Sequence, residues 1–187
     1  FFQSTEVIWR DDFERKCEER SMNLPASLLG GVQLKRLVQI GIVVPNRDRT
    51  AQLLTSLFGM GPFRFVEWPD RAESQYYYRG EPEQIRVKQA FVQLGDVEVE
   101  LIEPVEGKSG YQDFLEKTGG GIHHVLFEVS DIDPVLEELA KVGITVLQSG
   151  TGIRRGTRWA LLDTQELLGF LVELRHRPGE SDGTSVS

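Results

Sequence analysis

The sequence predicts an α+β fold in which two βαβββ modules form one curved mixed sheet around a cleft, with helices on the outside. Three observations predict it. Two β-branched apolar runs, Leu37 to Val44 and Ile122 to Val129, are each followed by a polar turn and an amphipathic stretch. Each such unit is followed by three further extended segments. The chain has 187 residues, enough for one full-sized domain and too few for two of ordinary size.

The elements follow in order. Module one, residues 35–105, opens with the strand Leu37 to Val44, whose β-branched residues favour extended backbone. Pro45-Asn46-Arg47-Asp48 supplies a turn and capping side chains. Thr50 to Phe58 has helical spacing at Leu53, Leu54 and Leu57 and stops at Gly59. Extended segments follow at Phe63 to Glu67, Ile85 to Leu94 and Val97 to Glu103. Gly119-Gly120-Gly121 links the modules. Module two, residues 121–176, repeats the plan with Ile122 to Val129, the turn Ser130 to Asp133, and a helix over Val135 to Val142 that carries Leu136, Leu139 and Val142 before Gly143. Its extended segments are Thr145 to Gln148, Arg158 to Leu162 and Phe170 to Leu174. Gln39 to Val44 thus lies over His124 to Val129 as an internal duplication of pattern. Residues 1–34 differ in texture: a charged run from Arg10 to Arg20 ends at Gly30-Gly31, and Phe2-Gln3-Ser4 resembles the remnant of a cleaved purification tag. They form an amino-terminal extension. Residues 178–187 contain almost nothing apolar and are expected to be a disordered tail.

Composition excludes several function classes. The 21 basic and 29 acidic residues give a net charge of −8, which disfavours nucleic acid and anionic membranes as partners. The longest apolar stretch, near Leu37 to Pro45, falls short of the ~18 to 20 residues that span a bilayer. Cys17 is a lone cysteine and nothing at the start reads as a signal peptide, so a soluble, cytoplasmic protein is expected.

Strand parity supplies the chemical clue. Val38, Ile40, Ile42 and Val44 share one face of their strand, which leaves Gln39 on the other; His124 holds the matching place in module two. On the closing strands, Val97, Val99 and Leu101 share one face and Glu98, Glu100 and Ile102 the other, while Glu173 opposes Phe170, Val172 and Leu174. Gln39, Glu100, His124 and Glu173 therefore converge at two pairs of equivalent positions. One imidazole, two carboxylates and one amide oxygen suit a single divalent metal ion such as Zn, Ni, Co or Mn, with open positions for water or substrate. Taken singly, each residue reads as a solvated strand carboxylate or a core histidine. The duplicated placement of all four favours the metal.

Gln39 to Val44, Leu94-Gly95-Asp96 with Val99 to Pro104, Phe114 to Lys117, Gly121-Ile122-His123-His124, Phe127-Glu128-Val129 and Leu171 to Leu174 resemble the vicinal oxygen chelate superfamily. Within it they are most similar to methylmalonyl-CoA epimerases and glyoxalase I. The resemblance spans roughly Leu37 to Leu174. It implies a glyoxalase-like fold, a homodimer, and a metal that chelates substrate oxygens and stabilises an enolate. It makes His124 the ligand of the His-His pair and leaves His123 as a structural residue. It also makes Glu173 the first choice of catalytic base and Glu100 the second, able to return a proton on the opposite face. The ligand set resembles animal glyoxalase I. However, Val43 and Pro104 stand where those enzymes bind glutathione through Arg and Asn, and the surrounding sequence is more epimerase-like. The extra base of the epimerases aligns near Gln89, with Glu83 a few residues away.

Two segments are candidates for substrate recognition: the aromatic one between Phe63 and Gly80, where Trp68, Tyr76 and Tyr78 offer stacking surfaces or ordinary strand packing, and Arg154, Arg155 and Arg158, which suit a carboxylate or coenzyme phosphate or form a solvated basic turn. The expected function is a metal-dependent isomerase, epimerase or lyase acting on a small carbonyl or thioester substrate. The rival is a metal-free, drug-sequestering binding protein on the same fold, like the bleomycin-resistance proteins.

Overall fold

A computed structural model describes residues 32–69 and 72–179. The amino-terminal extension up to residue 31 and the tail from residue 180 lie outside the described residues.

Strand β1 (Leu37–Val43) leads into helix α1 (Arg47–Phe58), which is capped by the Asn46 side chain accepting from the Arg49 N–H and ends at Gly59 with φ 67°. Because this cap starts the helix three residues before Thr50, the inward stripe is Arg47, Ala51 and Leu54, and Leu53 and Leu57 are exposed. Strands β2 (Arg64–Trp68), β3 (Tyr76–Tyr78), β4 (Glu81–Pro82), β5 (Arg86–Leu94) and β6 (Val97–Glu106) complete module one. Helix α2 (Gly110–Thr118), capped by Ser109, precedes module two. That module comprises β7 (Gly121–Glu128), α3 (Ile132–Ala140), β8 (Val146–Thr151), β9 (Arg158–Leu162), a single turn α4 (Gln165–Leu168) and β10 (Leu171–His176). Asp131 caps α3, so that helix also begins three residues earlier than expected, with Pro134 in the first turn where its missing N–H costs nothing.

All ten strands form one curved mixed sheet in the order β2-β5-β6-β1-β7-β10-β9-β8-β3-β4. Each module contributes four adjacent strands, and β1 and β7 join the halves antiparallel. Both first strands pair parallel with their own module's last strand, β1 with β6 and β7 with β10, as a duplicated plan requires. The β3–β4 hairpin departs from this plan. It leaves module one after β2 and adds β3 to β8, the outer strand of module two.

The convex side is sealed by the helices. Val44, Ala51, Ala90 and Leu101 form the core under α1, and Val129, Ile132, Val135, Ala160, Leu162, Val172 and Leu174 form the core under α3. Each Val, Leu or Ile among them contributes about 1.5–3 kcal/mol when fully buried. A third cluster, which includes Val43, Trp68, Tyr76, Ile102 and Tyr111, fills the end of the concave side beneath α2. Among the described residues, no helix is long and apolar enough to cross a membrane.

Candidate active site

The site lies on the four central strands. Gly41 of β1 is in register with Glu100 of β6 on one side and His124 of β7 on the other, and β10 brings Glu173 two residues beyond the partner of His124. Gln39, Glu100, His124 and Glu173 are all buried. Gln39, Glu100 and Glu173 line a cleft of about 550 Å³, and His124, fully buried, is not part of its lining.

His124 Nε2 lies 3.1 Å from Glu173 Oε2 and 3.8 Å from Glu100 Oε2, yet has no hydrogen-bond partner. Its Nδ1 is 3.0 Å from His123 Nδ1, so one of the two rings donates to the other. If His124 donates, Nε2 is a bare lone pair facing two carboxylates. Three acceptors turned on one another need a proton or a cation between them. Burial pushes the His124 pKa well below its usual value, assisted by neighbouring His123 and Arg175.

The carboxylates show the same frustration. Burial raises Glu173 to about 8, with the charge of Glu100 adding to it and Arg175 opposing it. Burial raises Glu100 to about 7, against the hydrogen bond from Gln89 and with a further upward contribution from Glu98. Gln39 Nε2 donates to Glu98 Oε1 at 2.7 Å, which assigns its amide nitrogen and turns its carbonyl oxygen away from Glu98. Gln89 Nε2 donates in the same way to Glu100 Oε1. The aligned position near Gln89 is therefore occupied by an amide that holds Glu100, whereas Glu83 pairs with Lys108.

Among the described residues, no three His, Cys, Asp or Glu side chains are already gathered as a metal cage. A metal with ligand bonds of about 2.0–2.2 Å places donors at right angles roughly 3 Å apart. The His124–Glu173 separation meets this, and the His124–Glu100 separation is wider. In donor type the quartet fits a divalent ion, and the unpartnered Nε2 is a lone pair that such an ion would accept.

Trp68 and Arg154 also line the cleft. The other expected substrate contacts lie elsewhere. Tyr76 is buried with its hydroxyl on Gln148 Oε1 at 2.8 Å, and the Tyr78 hydroxyl donates to Asp113. Arg155 pairs with Glu73 at 2.9 Å, and Arg158 makes two bonds to Asp133 beside a separate hollow against α3. The sequence reading did not assign roles to Glu98, Gly41 or Arg175. Glu98 shares the parity of Glu100, and a glycine inside a strand signals close approach by another group; either signal was sufficient to flag its residue.

Residues 38–160 match the family model of the glyoxalase/bleomycin resistance protein/dioxygenase superfamily. The chain belongs to this superfamily. It is similar to the ethylmalonyl-CoA/methylmalonyl-CoA epimerase of Cereibacter sphaeroides, 30% identical over 142 residues, covering 74% of this chain and 96% of that protein. It is also similar to the mitochondrial methylmalonyl-CoA epimerase of Homo sapiens, 29% identical over 143 residues, covering 75% of this chain and 73% of that protein. Among solved structures, a Streptomyces coelicolor methylmalonyl-CoA epimerase in complex with 2-nitronate-propionyl-CoA superimposes with a TM-score of 0.62 at 23% identity, covering 80% of this chain and 99% of that one. That likeness shows the fold that this superfamily member shares.

Proposed function

We propose that this protein is a divalent-metal-dependent epimerase that moves a proton at the carbon next to a thioester carbonyl, with an acyl-CoA as its substrate class. The observation that carries the reading is the pair Glu100 and Glu173, which face one His124 nitrogen from equivalent strands of the two modules. Inversion at a carbon acid needs a base on one side and an acid on the other. The coenzyme class is supported by the names of the epimerase relatives and by the arginines that line the cleft.

Gln39, Glu100, His124 and Glu173 would hold the ion, which when bound would supply positive charge to offset the enolate oxygen. Glu173 in its carboxylate form takes the proton from the α-carbon, and the C–H electron pair passes into the thioester carbonyl to form the enolate. Glu100 in its acid form returns a proton to the opposite face, which restores the carbonyl and inverts the carbon. Gln89 holds Glu100 in place, Glu98 holds the Gln39 amide, and Trp68 walls the cleft against water.

Proton exchange in deuterated water over a panel of acyl-CoA, hemithioacetal and aromatic carbonyl compounds tests this. Wild type is expected to exchange the α-proton of methylmalonyl-CoA, and Glu173→Gln and Glu100→Gln are each expected to slow exchange by about 10²–10⁴. Exchange by Glu173→Gln as fast as wild type removes Glu173 as the base. No exchange of any thioester by metal-loaded wild type removes the function.

A further inference from the structure

The two modules match at the reacting centre and differ one step beyond it. Beyond Gln39 and Glu100, on the same faces, β1 and β6 place Val43 and Ile102, both fully buried in the apolar cluster under α2. The equivalent positions on β7 and β10 are Glu128 and Arg175, cross-strand neighbours in register, both buried as well. An apolar layer at one end of the cleft is thus replaced by a charged layer at the other.

One carboxylate is shared in that layer. Glu128 is contacted by Arg36 at 2.8 Å, by Arg175 at 3.0 Å and by Arg177 at 3.2 Å, so one carboxylate faces three guanidiniums. Arg175 is only 9% exposed, and its buried Nε has no hydrogen-bond partner. A guanidinium prefers to offer Nε and one Nη together as a fork to two anionic oxygens. Here Glu128 occupies Nη2 alone. Arg175 and Arg177 line the same cleft as Glu173.

We propose that Arg175, supported by Arg177, forms an anion subsite at the module-two end of the cleft, which binds a carboxylate or phosphate group of the substrate whose reacting carbon lies between Glu100 and Glu173. This subsite rests on the proposed function and names the side chains of this chain that receive the anionic group of its substrate. The resident Glu128 competes for the guanidinium. It therefore limits affinity and keeps the buried charge partnered when the cleft is empty.

Calorimetric titration of metal-loaded protein with four thioesters tests the subsite and separates the two sources of the anion. Propionyl-pantetheine carries neither group, methylmalonyl-pantetheine adds the carboxylate, propionyl-CoA adds the phosphates, and methylmalonyl-CoA carries both. In wild type, one added anionic group is expected to tighten Kd by about tenfold or more. In Arg175→Met that increment is expected to vanish, and the increment that vanishes identifies the carboxylate or the phosphate. Glu128→Gln removes the competitor and is expected to enlarge the same increment, a gain that damage to the fold does not produce. If Arg175→Met fails to fold, Arg175→Lys, which lacks the fork, is expected to lose most of the increment. Increments that survive within twofold in the Arg175 variants, or that never exceed threefold in wild type, overturn the subsite. Because the increments in Kd are read whether or not the α-proton exchanges, failure of proton exchange is a separate result.

Discussion

Gly41 gives the His124 imidazole the space it occupies: an ideal Cβ on Gly41 would lie 2.0 Å from His124 Cε1 and 2.3 Å from Nε2. Its φ is not in the left-handed region, so glycine is required there for room alone. Gly41→Ala is therefore expected to tip the ring away from Glu100 and Glu173. Stability should fall by about 1–3 kcal/mol, the usual cost of overpacking, and the loss of metal affinity and proton exchange should exceed what that destabilisation explains. Denaturant melts paired with metal titration check it. A Gly41→Ala protein that binds metal like wild type contradicts this role.

Glu98 orients the Gln39 amide through the 2.7 Å bond. Without that acceptor the amide is free to turn its NH₂ toward the ion. Glu98→Ala is expected to weaken divalent-metal affinity about 10–100-fold, and Glu98→Gln, whose side-chain oxygen still accepts, should recover part of the loss. Equal affinities in all three proteins would show that the amide holds its orientation unaided.

Gln148 joins three elements, since its Oε1 accepts from the Tyr76 hydroxyl and from the Gly110 N–H, each at 2.8 Å. Gln148→Leu leaves both donors buried without an acceptor. Each such donor costs about 1–3 kcal/mol, whereas Tyr76→Phe removes its own donor and should cost about 1 kcal/mol. Urea unfolding of both variants measures the difference. Gln148→Leu as stable as Tyr76→Phe would mean that neither donor depends on this side chain.

Metal-free protein should lose stability as pH rises above 6.5. Glu100 and Glu173 are raised from the usual 4.5 to about 7 and about 8, so the folded chain holds protons that the unfolded chain releases. Their contribution is complete below about 4.5 and is lost as pH climbs through 7 and 8. Buried His123, lowered from 6.5 to about 4, has the opposite sign: its contribution is complete above 6.5 and is lost as pH falls toward 4. Above pH 6.5 the glutamates therefore decide the slope. Tm should decline from pH 6.5 to 8.5, the decline should flatten in the Glu100→Gln, Glu173→Gln double variant, and added divalent ion should reverse it in wild type. A flat or rising Tm in the metal-free protein contradicts the burial argument.

Much of this was legible in the sequence because it follows from periods of two and 3.6. The duplicated strand–helix pattern located both modules, and parity put Gln39, Glu100, His124 and Glu173 on facing surfaces. Helix starts were missed by three residues because Asn46 and Asp131 cap before the apolar periodicity begins. The β3–β4 hairpin was not legible, since Tyr76 to Tyr78 pair with β8, about 70 residues away in sequence. Helix α2 was hidden because its apolar residues Tyr111, Phe114 and Leu115 pack into the end of the cleft rather than on the convex face that the pattern describes. For Tyr76, Tyr78, Arg155 and Arg158, residue type suggested substrate contact, and only the fold reveals partners that occupy their polar ends.

The most direct test of the central claim is titration of chelator-treated protein with zinc, cobalt, nickel or manganese, read by calorimetry and elemental analysis. The four convergent side chains predict uptake of one ion per chain, lost in His124→Ala and weakened in Gln39→Ala. Wild-type protein that takes up no ion even in excess, or that binds it equally well without His124, contradicts the account.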